Sequence, residues 1–485
     1  MEAIASSLGV SRVPISRPAS QAASHTATPR SPAMTLVASS HGSALREVVH
    51  QARNFPRASP PQCVCHSASL AQAGRHVHPH SASPSSSSSS SSPSSRFSLP
   101  SSSPRHLIVC SLKEGLPSSS ASALPTPSIP SLPPVPPGPA HVIPAEDLPA
   151  FVACSPLLQR VGLSQADVQR DVRAWGALGH ELAQQLGFLG KGGKAQLGEA
   201  QLRRIFQYYL PVFSWCWRQL QLHRAQAAGG GAADAQAAPL VIGISAPQGC
   251  GKTTVVESLE HLFTVTRCTA ATVSIDDFYL TAQGQAALRE AHPGNRLLEL
   301  RGNAGSHDLP LGVATLSALK HATAPGTKVA LPRYDKSAFS GRGDRSPPSQ
   351  WPAVQGPVDV VLFEGWMLGF QPVHHDAAAA VDPQLEEVNV RLAEYSAWHD
   401  LVDAWVIIQV ADVDWVFEWR LQAEVAMRAT GKPGMTDDQV RDFVTRYIPA
   451  YKAYLPALYA DGPRGSDPAS TLHLDIDQGR NPVAK

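Results

Sequence analysis

No stretch of this 485-residue chain approaches the run of about 18 apolar residues that a membrane-spanning helix needs, so nothing in it reads as a bilayer segment. Cysteine is scarce. There are seven, and Cys63-x-Cys65 has neither metal-ligand spacing nor a second pair to complete a site. Acids are almost missing from one end. Residues 1–112 hold only Glu2 and Glu47 and no lysine, against nine arginines and a serine run at 85–92. Such a segment cannot bury enough apolar surface to offset its chain entropy. It also lacks the single apolar core of a secretory signal. An Arg- and Ser-rich, acid-poor leader reads as an organelle transit peptide, and its Ser, Ala and Pro content favours the chloroplast. Processing is expected near Val109-Cys110-Ser111.

The leader carries +7 of a whole-chain charge of +1, which leaves −6 for residues 113–485. A mildly acidic body has no electrostatic footprint for nucleic acid. These features predict a monomeric, soluble stromal protein with a small-molecule substrate and no nucleic-acid or membrane partner. Of the four remaining cysteines, Cys154, Cys216 and Cys268 read as structural thiols. Cys250 differs, because it sits in a glycine-rich loop beside Lys252 and a helix start, a setting that lowers a thiol's pKa.

Residues 113–144 are Pro/Ser-rich and read as a linker. Residues 145–225 read as helical. Ser164-Gln-Ala-Asp167 is an N-cap signature ahead of Val168, Val172, Trp175 and Leu178. A second helix is expected over 197–224, crowded with Phe206, Tyr208, Tyr209, Phe213, Trp215 and Trp217, whose density suits packing against a neighbouring layer. Residues 226–238 form a Gly/Ala connection. From 239 to 485, short apolar runs alternate with helical patterns. That alternation predicts an α/β fold with a parallel sheet covered on both faces. Strands are expected at 240–245, 271–275, 358–363, 404–410 and 471–476, and ligands at their carboxyl ends.

The first of these runs enters Ala246-Pro247-Gln248-Gly249-Cys250-Gly251-Lys252-Thr253-Thr254, and helical spacing follows. This is the phosphate-binding loop of a P-loop fold, with Ala246 in place of the usual first glycine. Glycines let successive N–H groups turn inward around a phosphate, and the helix aims its positive end at the same anion. Lys252 adds a full charge, and Thr253 is placed to ligate Mg²⁺.

The second run ends in Ser274-Ile275-Asp276-Asp277-Phe278-Tyr279. One of these adjacent carboxylates can accept the proton of an attacking hydroxyl. The third ends in Glu364-Gly365-Trp366, an acid where such folds reach Mg²⁺. Glutamate here suits a small-molecule kinase better than a GTPase. Thr327-Lys328-Val329-Ala330 also lacks the Asp of a guanine-reading motif. Two polar loops lie between these strands. One is Arg301-Gly-Asn-Ala-Gly-Ser306-His307-Asp308; the other runs from Arg333-Tyr334-Asp335-Lys336 to Arg345. With Asp277 and Tyr279 they are the candidate acceptor pocket. After the fourth run, a helix over 412–430 carries Arg420, Glu424 and Arg428, and Gly431-Lys432-Pro433-Gly434-Met435 breaks it. It reads as a lid that brings Arg420 to the γ-phosphate and excludes water. His374-His375-Asp376 and the alanines after it are expected to be a surface loop.

Several motifs resemble the plant-type D-glycerate 3-kinase family. They are Ile242-Gly-Ile-Ser-Ala-Pro-Gln-Gly-Cys-Gly-Lys-Thr, Ser274-Ile-Asp-Asp-Phe-Tyr, Arg301-Gly-Asn-Ala-Gly-Ser-His-Asp, Leu331-Pro-Arg-Tyr-Asp-Lys-Ser, Glu364-Gly-Trp-Met, Trp419-Arg-Leu-Gln-Ala-Glu, Gly431-Lys-Pro-Gly-Met and Gly479-Arg-Asn-Pro. The resemblance covers roughly residues 145–485. Uridine kinase, pantothenate kinase and phosphoribulokinase are its wider relatives. It implies transfer of the ATP γ-phosphoryl group to the 3-hydroxyl of D-glycerate, the last step of photorespiration, with Mg²⁺. It implies Asp276 as the hydroxyl-activating base and Glu364 as the metal-linked carboxylate. Two alternatives stay open: another small-molecule kinase acting on uridine, pantothenate or a sugar, and a non-catalytic nucleotide-binding regulator. Arginine-rich acceptor loops suit a carboxylated acceptor, and a pure binder needs no base.

Overall fold

Short apolar runs make the strands of the main sheet, and shorter polar segments pair beside it. These are β1 (Leu240–Ser245), β2 (Ala270–Ser274), β3 (Lys328–Ala330), β4 (Tyr334–Asp335), β5 (Asp344–Arg345), β6 (Ala353–Gln355), β7 (Val360–Gly365), β8 (Ala404–Val410) and β9 (Thr471–Ile476). The computed structural model describes residues 130–133, 142–189, 197–229, 237–431 and 434–484. The expected transit peptide, most of both expected linkers, Cys63, Cys65 and Cys110 lie outside the described residues, as do Lys432 and Pro433 of the expected lid break.

Five strands form one parallel sheet in the order β2-β7-β1-β8-β9. β1 lies at its centre, buried along its length, as a strand covered on both faces must be. Alternation sends Leu240, Ile242 and Ile244 into one apolar cluster and Val241 into the other. The register sets Ile244 beside Glu364 and Ser245 beside Gly365, so the phosphate loop and the β7 acid leave the sheet together. The expected strands fall within two residues of these bounds, and the 240–245, 404–410 and 471–476 runs match them. The small antiparallel pairs β3–β6 and β4–β5 stand outside the sheet. Residues 375–381 depart from the expected loop: they form the helix His375–Val381, with His374 as its N-cap. Four successive alanines are the best helix formers available, and propensity prevails there.

The N-terminal helices cover the first cluster's face. Ser164 caps Gln165–Arg170 by accepting from the Asp167 N–H, and Asp167 returns a bond to Ser164. The helix breaks at Asp171 and resumes as Val172–Gln185. The second expected helix is likewise divided. Glu199–Arg203 passes through a π-helical turn, Arg204–Tyr209, into Leu210–Gly229. A π turn inserts one residue without disturbing composition, so apolar spacing does not reveal it. Phe206, Tyr208, Tyr209, Phe213, Trp215 and Trp217 share one core with β1, β8 and the helix Lys252–Val265. Phe213 meets Phe263 edge-on at 5.1 Å.

This shared core predicts that Phe213→Ala, which empties a fully buried ring site, costs about 3–5 kcal/mol. Urea unfolding followed by tryptophan fluorescence should show one transition shifted to lower denaturant. An unchanged midpoint would mean that the helical layer is not part of the cooperative core.

Candidate active site

The phosphate loop takes its shape from two glycines. Gly249 has φ +82° and Gly251 φ +93°, left-handed values that side chains oppose. A Cβ on Gly249 would also lie 2.6 Å from the Trp419 Cβ. The loop is anchored by the Ala246 N–H, which donates to the Gly365 carbonyl (3.2 Å), and by the Gln248 N–H, which donates to the Tyr451 hydroxyl (3.0 Å). Gly251 is the N-cap of Lys252–Val265 and no side chain caps that helix start. Its first N–H groups therefore face an anion site.

Lys252 is mostly buried and ion-paired with Glu364. Burial pushes its ammonium down to about 8, and the Asp276 carboxylate opposes that shift. It is a cation at neutral pH. Thr253, Glu364, Ser274, Asp277, Arg333 and Glu257 line a cavity of about 410 Å³ beside the loop. Thr253 and Glu364 present the hard oxygen donors that suit Mg²⁺. Among the described residues no group of three or more His, Cys, Asp or Glu could hold a metal alone.

The adjacent acids after β2 face different surroundings. Both lie on the 3₁₀ turn Ile275–Phe278, which Ser274 caps through the Asp276 N–H. Burial opposes the Asp276 charge, but Lys336 at 2.6 Å, Lys252 and the Tyr279 hydroxyl outweigh it and hold the carboxyl at about 2. For Asp277 burial wins and the pKa is raised, against Arg333 at 3.1 Å and the Tyr334 N–H at 3.3 Å.

The 301–308 loop docks on this turn like an added strand. The Leu280 N–H donates to the Ser306 carbonyl (2.9 Å) and the Asp308 N–H to the Phe278 carbonyl (2.7 Å). His307 consequently stacks on Tyr279, ring centroids 4.6 Å apart, and its Nδ1 shares a 2.7 Å hydrogen bond with the Tyr395 hydroxyl. Burial brings the imidazole down to about 3 against the pull of Asp276, so His307 is a neutral ring. Its buried Nε2 has no hydrogen-bond partner among the described residues. Asp308 is otherwise occupied. It caps Leu309–Lys320 through the Leu311 N–H and pairs with Arg345 at 3.0 Å. The Arg301 guanidinium donates to the carbonyls of Gly341 (2.9 Å) and Arg342, and lies over the Tyr334 ring. It stitches the 301–308 and 336–342 loops together.

Arg420 lies on the helix Trp415–Ala429. It pairs with the buried Glu424 and sits over the Phe443 ring. Glu424 also accepts from the Met435 N–H (2.8 Å), which fixes the chain just past Lys432 and Pro433. Apolar spacing in the sequence gives no sign of Tyr451 on the phosphate loop or of Tyr395 on His307, and the Gly479-Arg-Asn-Pro motif gives Arg480 no role. The Arg480 Nε donates to the Gly249 carbonyl (2.6 Å), and its guanidinium covers the Trp419 ring. Each is a contact between residues far apart in the chain. Cys250 requires a correction. The loop setting suggested a lowered pKa, but full burial dominates over Lys252 and pushes the thiol up to about 11.

The chain is 50% identical over 367 residues to the chloroplastic D-glycerate 3-kinase of Arabidopsis thaliana, covering 76% of each protein. That match is longer than the stretch from β1 to the C-terminus, so it takes in residues of the helical layer. The chain is 36% identical over 264 residues to the uncharacterized kinase mug58 of Schizosaccharomyces pombe, covering 50% of this chain and 90% of that protein. Among solved structures, a D-glycerate 3-kinase from Cryptococcus neoformans superposes with a TM-score of 0.51 at 36% identity, over 57% of this chain and 97% of that one. No family model matches the chain.

The burial of Cys250 and the exposure of Cys154 give a direct test. A maleimide applied to the folded protein at pH 7.5 should label Cys154 within minutes and leave Cys250 at least about tenfold slower, because Cys154 is exposed while Cys250 is buried and its thiol is pushed up. Peptide mapping that finds Cys250 labelled first would restore the activated-thiol assignment.

Proposed function

The chain belongs to the D-glycerate 3-kinase family and phosphorylates D-glycerate as a P-loop kinase; we propose that ATP is the donor, that the acceptor is the 3-hydroxyl, and that the residues around Lys252 act as follows. The supporting observation is the meeting of three strand ends. Lys252 from the loop after β1 contacts Glu364 from β7 and feels Asp276 from the turn after β2.

Residues 246–254 cradle the donor phosphates with backbone N–H groups and the Lys252 ammonium. Thr253 and Glu364 would hold Mg²⁺, which when bound neutralises charge on the β- and γ-phosphates. Arg420 serves the transferring group once the lid closes. The acceptor lies among Asp276, Asp277, Tyr279, Arg301, His307, Arg333, Tyr334 and Lys336. Asp276 accepts the proton of the attacking hydroxyl. A carboxylate held at about 2 is a weak base while Lys336 is on it. Lys336 is 60% exposed, so an acceptor carboxylate can draw it away and return basicity to Asp276 as the substrate arrives. Asp308 keeps its capping role and orders the pocket through Arg345.

The chloroplast stroma is the proposed address, and the last step of photorespiration the proposed place. The acid-poor leader and the chloroplastic relative support this. No described helix is long and apolar enough to cross a membrane. The large apolar side chains left exposed among the described residues, Phe339, Val381, Val390 and Val425, are scattered along the chain, which suits a monomer.

Purified protein should consume ATP with D-glycerate and yield 3-phospho-D-glycerate, with L-glycerate, uridine and pantothenate at background. Lys252→Ala should abolish turnover. Asp276→Asn should slow the chemical step by roughly 10²–10⁴-fold with little change in ATP affinity. Glu364→Gln should raise the Mg²⁺ requirement. If Asp277→Asn is crippled and Asp276→Asn is not, the roles of the pair are exchanged. Residues 1–115 fused to a fluorescent reporter should direct it to chloroplasts; cytosolic fluorescence would refute the proposed address.

A further inference from the structure

Two tyrosines one helical turn apart stand against the phosphate loop and the loop that begins at Arg301. Tyr447 is the N-cap of the helix Ile448–Asp461, and Tyr451 lies in its first turn. The Tyr451 hydroxyl accepts from the Gln248 N–H at 3.0 Å. The Tyr447 hydroxyl donates to the Arg301 carbonyl at 3.2 Å, and the Gln248 side chain lies beside it. Both rings are buried, and the Trp366 ring meets each edge-on, at 5.1 Å and 5.2 Å. The acceptor loop lies flat on the first of them. Gly302, at φ +145°, has no Cβ, and one built there would stand 2.5 Å from the Tyr447 ring.

Tyr451 touches only the phosphate-loop side of this arrangement. Tyr447 touches both sides: Gln248 in the loop that takes the donor phosphates, and Arg301-Gly302 at the start of the loop that carries His307. The Arg301 guanidinium extends the chain of contacts to the carbonyls of Gly341 and Arg342. A hydroxyl that donates to one loop and stands beside a side chain of the other is best placed when both loops are in place.

Building on the kinase reading above, we propose that Tyr447 is a positioning residue whose hydroxyl links acceptor binding to donor binding. An acceptor that orders residues 301–308 fixes the hydroxyl, the hydroxyl fixes Gln248, and the phosphate loop is then set for the nucleotide. Linkage requires the converse in equal measure: the nucleotide tightens the acceptor by the same factor.

The test is calorimetric, on the full chain with Mg²⁺. Binding of a non-hydrolysable ATP analogue is measured with and without saturating D-glycerate, and binding of D-glycerate with and without the analogue. In the wild type each ligand should tighten the other by roughly fivefold or more, the lower end of ordinary coupling. Tyr447→Phe keeps the ring against Gly302 and loses only the hydroxyl. It should bind the analogue alone within about threefold of wild type, and the coupling factor should fall to near one. Tyr451→Phe should weaken the analogue yet keep the factor. A wild type with no coupling, or a Tyr447→Phe protein that retains the full factor, overturns the proposal. Absence of D-glycerate turnover by the wild type would show instead that the underlying kinase reading is wrong, and this inference falls with it.

Discussion

An ammonium withdrawn from water must keep carboxylates close, because leaving a buried charge alone costs several kcal/mol. Lys252 meets that condition through Glu364 and, at longer range, Asp276. Neither partner is near it in sequence. Glu364 arrives because β7 pairs in parallel with β1 in a register that sets Ile244 against Glu364. Asp276 arrives because β2 pairs with the far side of β7, with Ser274 against Glu364. Sheet order, register and the position of one lysine are thus a single constraint. A one-residue slip of β7 would turn Glu364 to the opposite face and leave the lysine without its contact.

The two acids after β2 show how neighbours separate adjacent, chemically equal groups. Both are drawn from water, which favours the neutral form. Asp276 has Lys336 and Lys252 to restore its charge, whereas Asp277 has Arg333 and a backbone N–H and finishes above its ordinary value. By pKa alone Asp277 is the better base. By position it faces the cavity of Thr253 and Glu364, while Asp276 faces Tyr279, His307 and the acceptor loops. In phosphoryl transfer the attacking hydroxyl must be placed in line, and charge placement carries most of the catalysis. On the proposed reading position outweighs basicity, and the lysine on Asp276 is exposed enough to be exchanged.

The sheet was legible because β1 and β8 are almost continuously apolar and β9 alternates, and the runs 240–245, 404–410 and 471–476 end where these strands end. The phosphate loop was legible because its glycines, lysine and threonine are contiguous. Contacts that join distant segments were not. Tyr447 and Tyr451 look like ordinary core aromatics in a helix, and nothing local marks them as partners of Gln248 and Arg301. The loop after Arg333 folds as the pair β4–β5, too short to leave a period. Cys250 misled for the opposite reason. Lys252 beside it in sequence is cationic, but burial in a core built from segments distant in the chain decides its pKa.

The acceptor side has one more consequence in its charges. Each cation brought to it already holds an anion or a carbonyl: Arg333 holds Asp277, Lys336 holds Asp276, Arg345 holds Asp308, Arg420 holds Glu424, and Arg301 holds two backbone carbonyls. An incoming carboxylate must then be bound by exchange. Exchanging one carboxylate for another conserves the number of ion pairs, so the cost lies in uncovering the displaced acid. That cost is least where the cation is most exposed, at Lys336, and where the displaced acid, Asp276, gains a proton donor in the arriving hydroxyl. It is greatest at Arg420, whose partner Glu424 is almost fully buried and also ties down Met435. On the proposed reading, acceptor capture and activation of the base are the same exchange at Lys336. Arg420 waits on a movement of the lid helix itself.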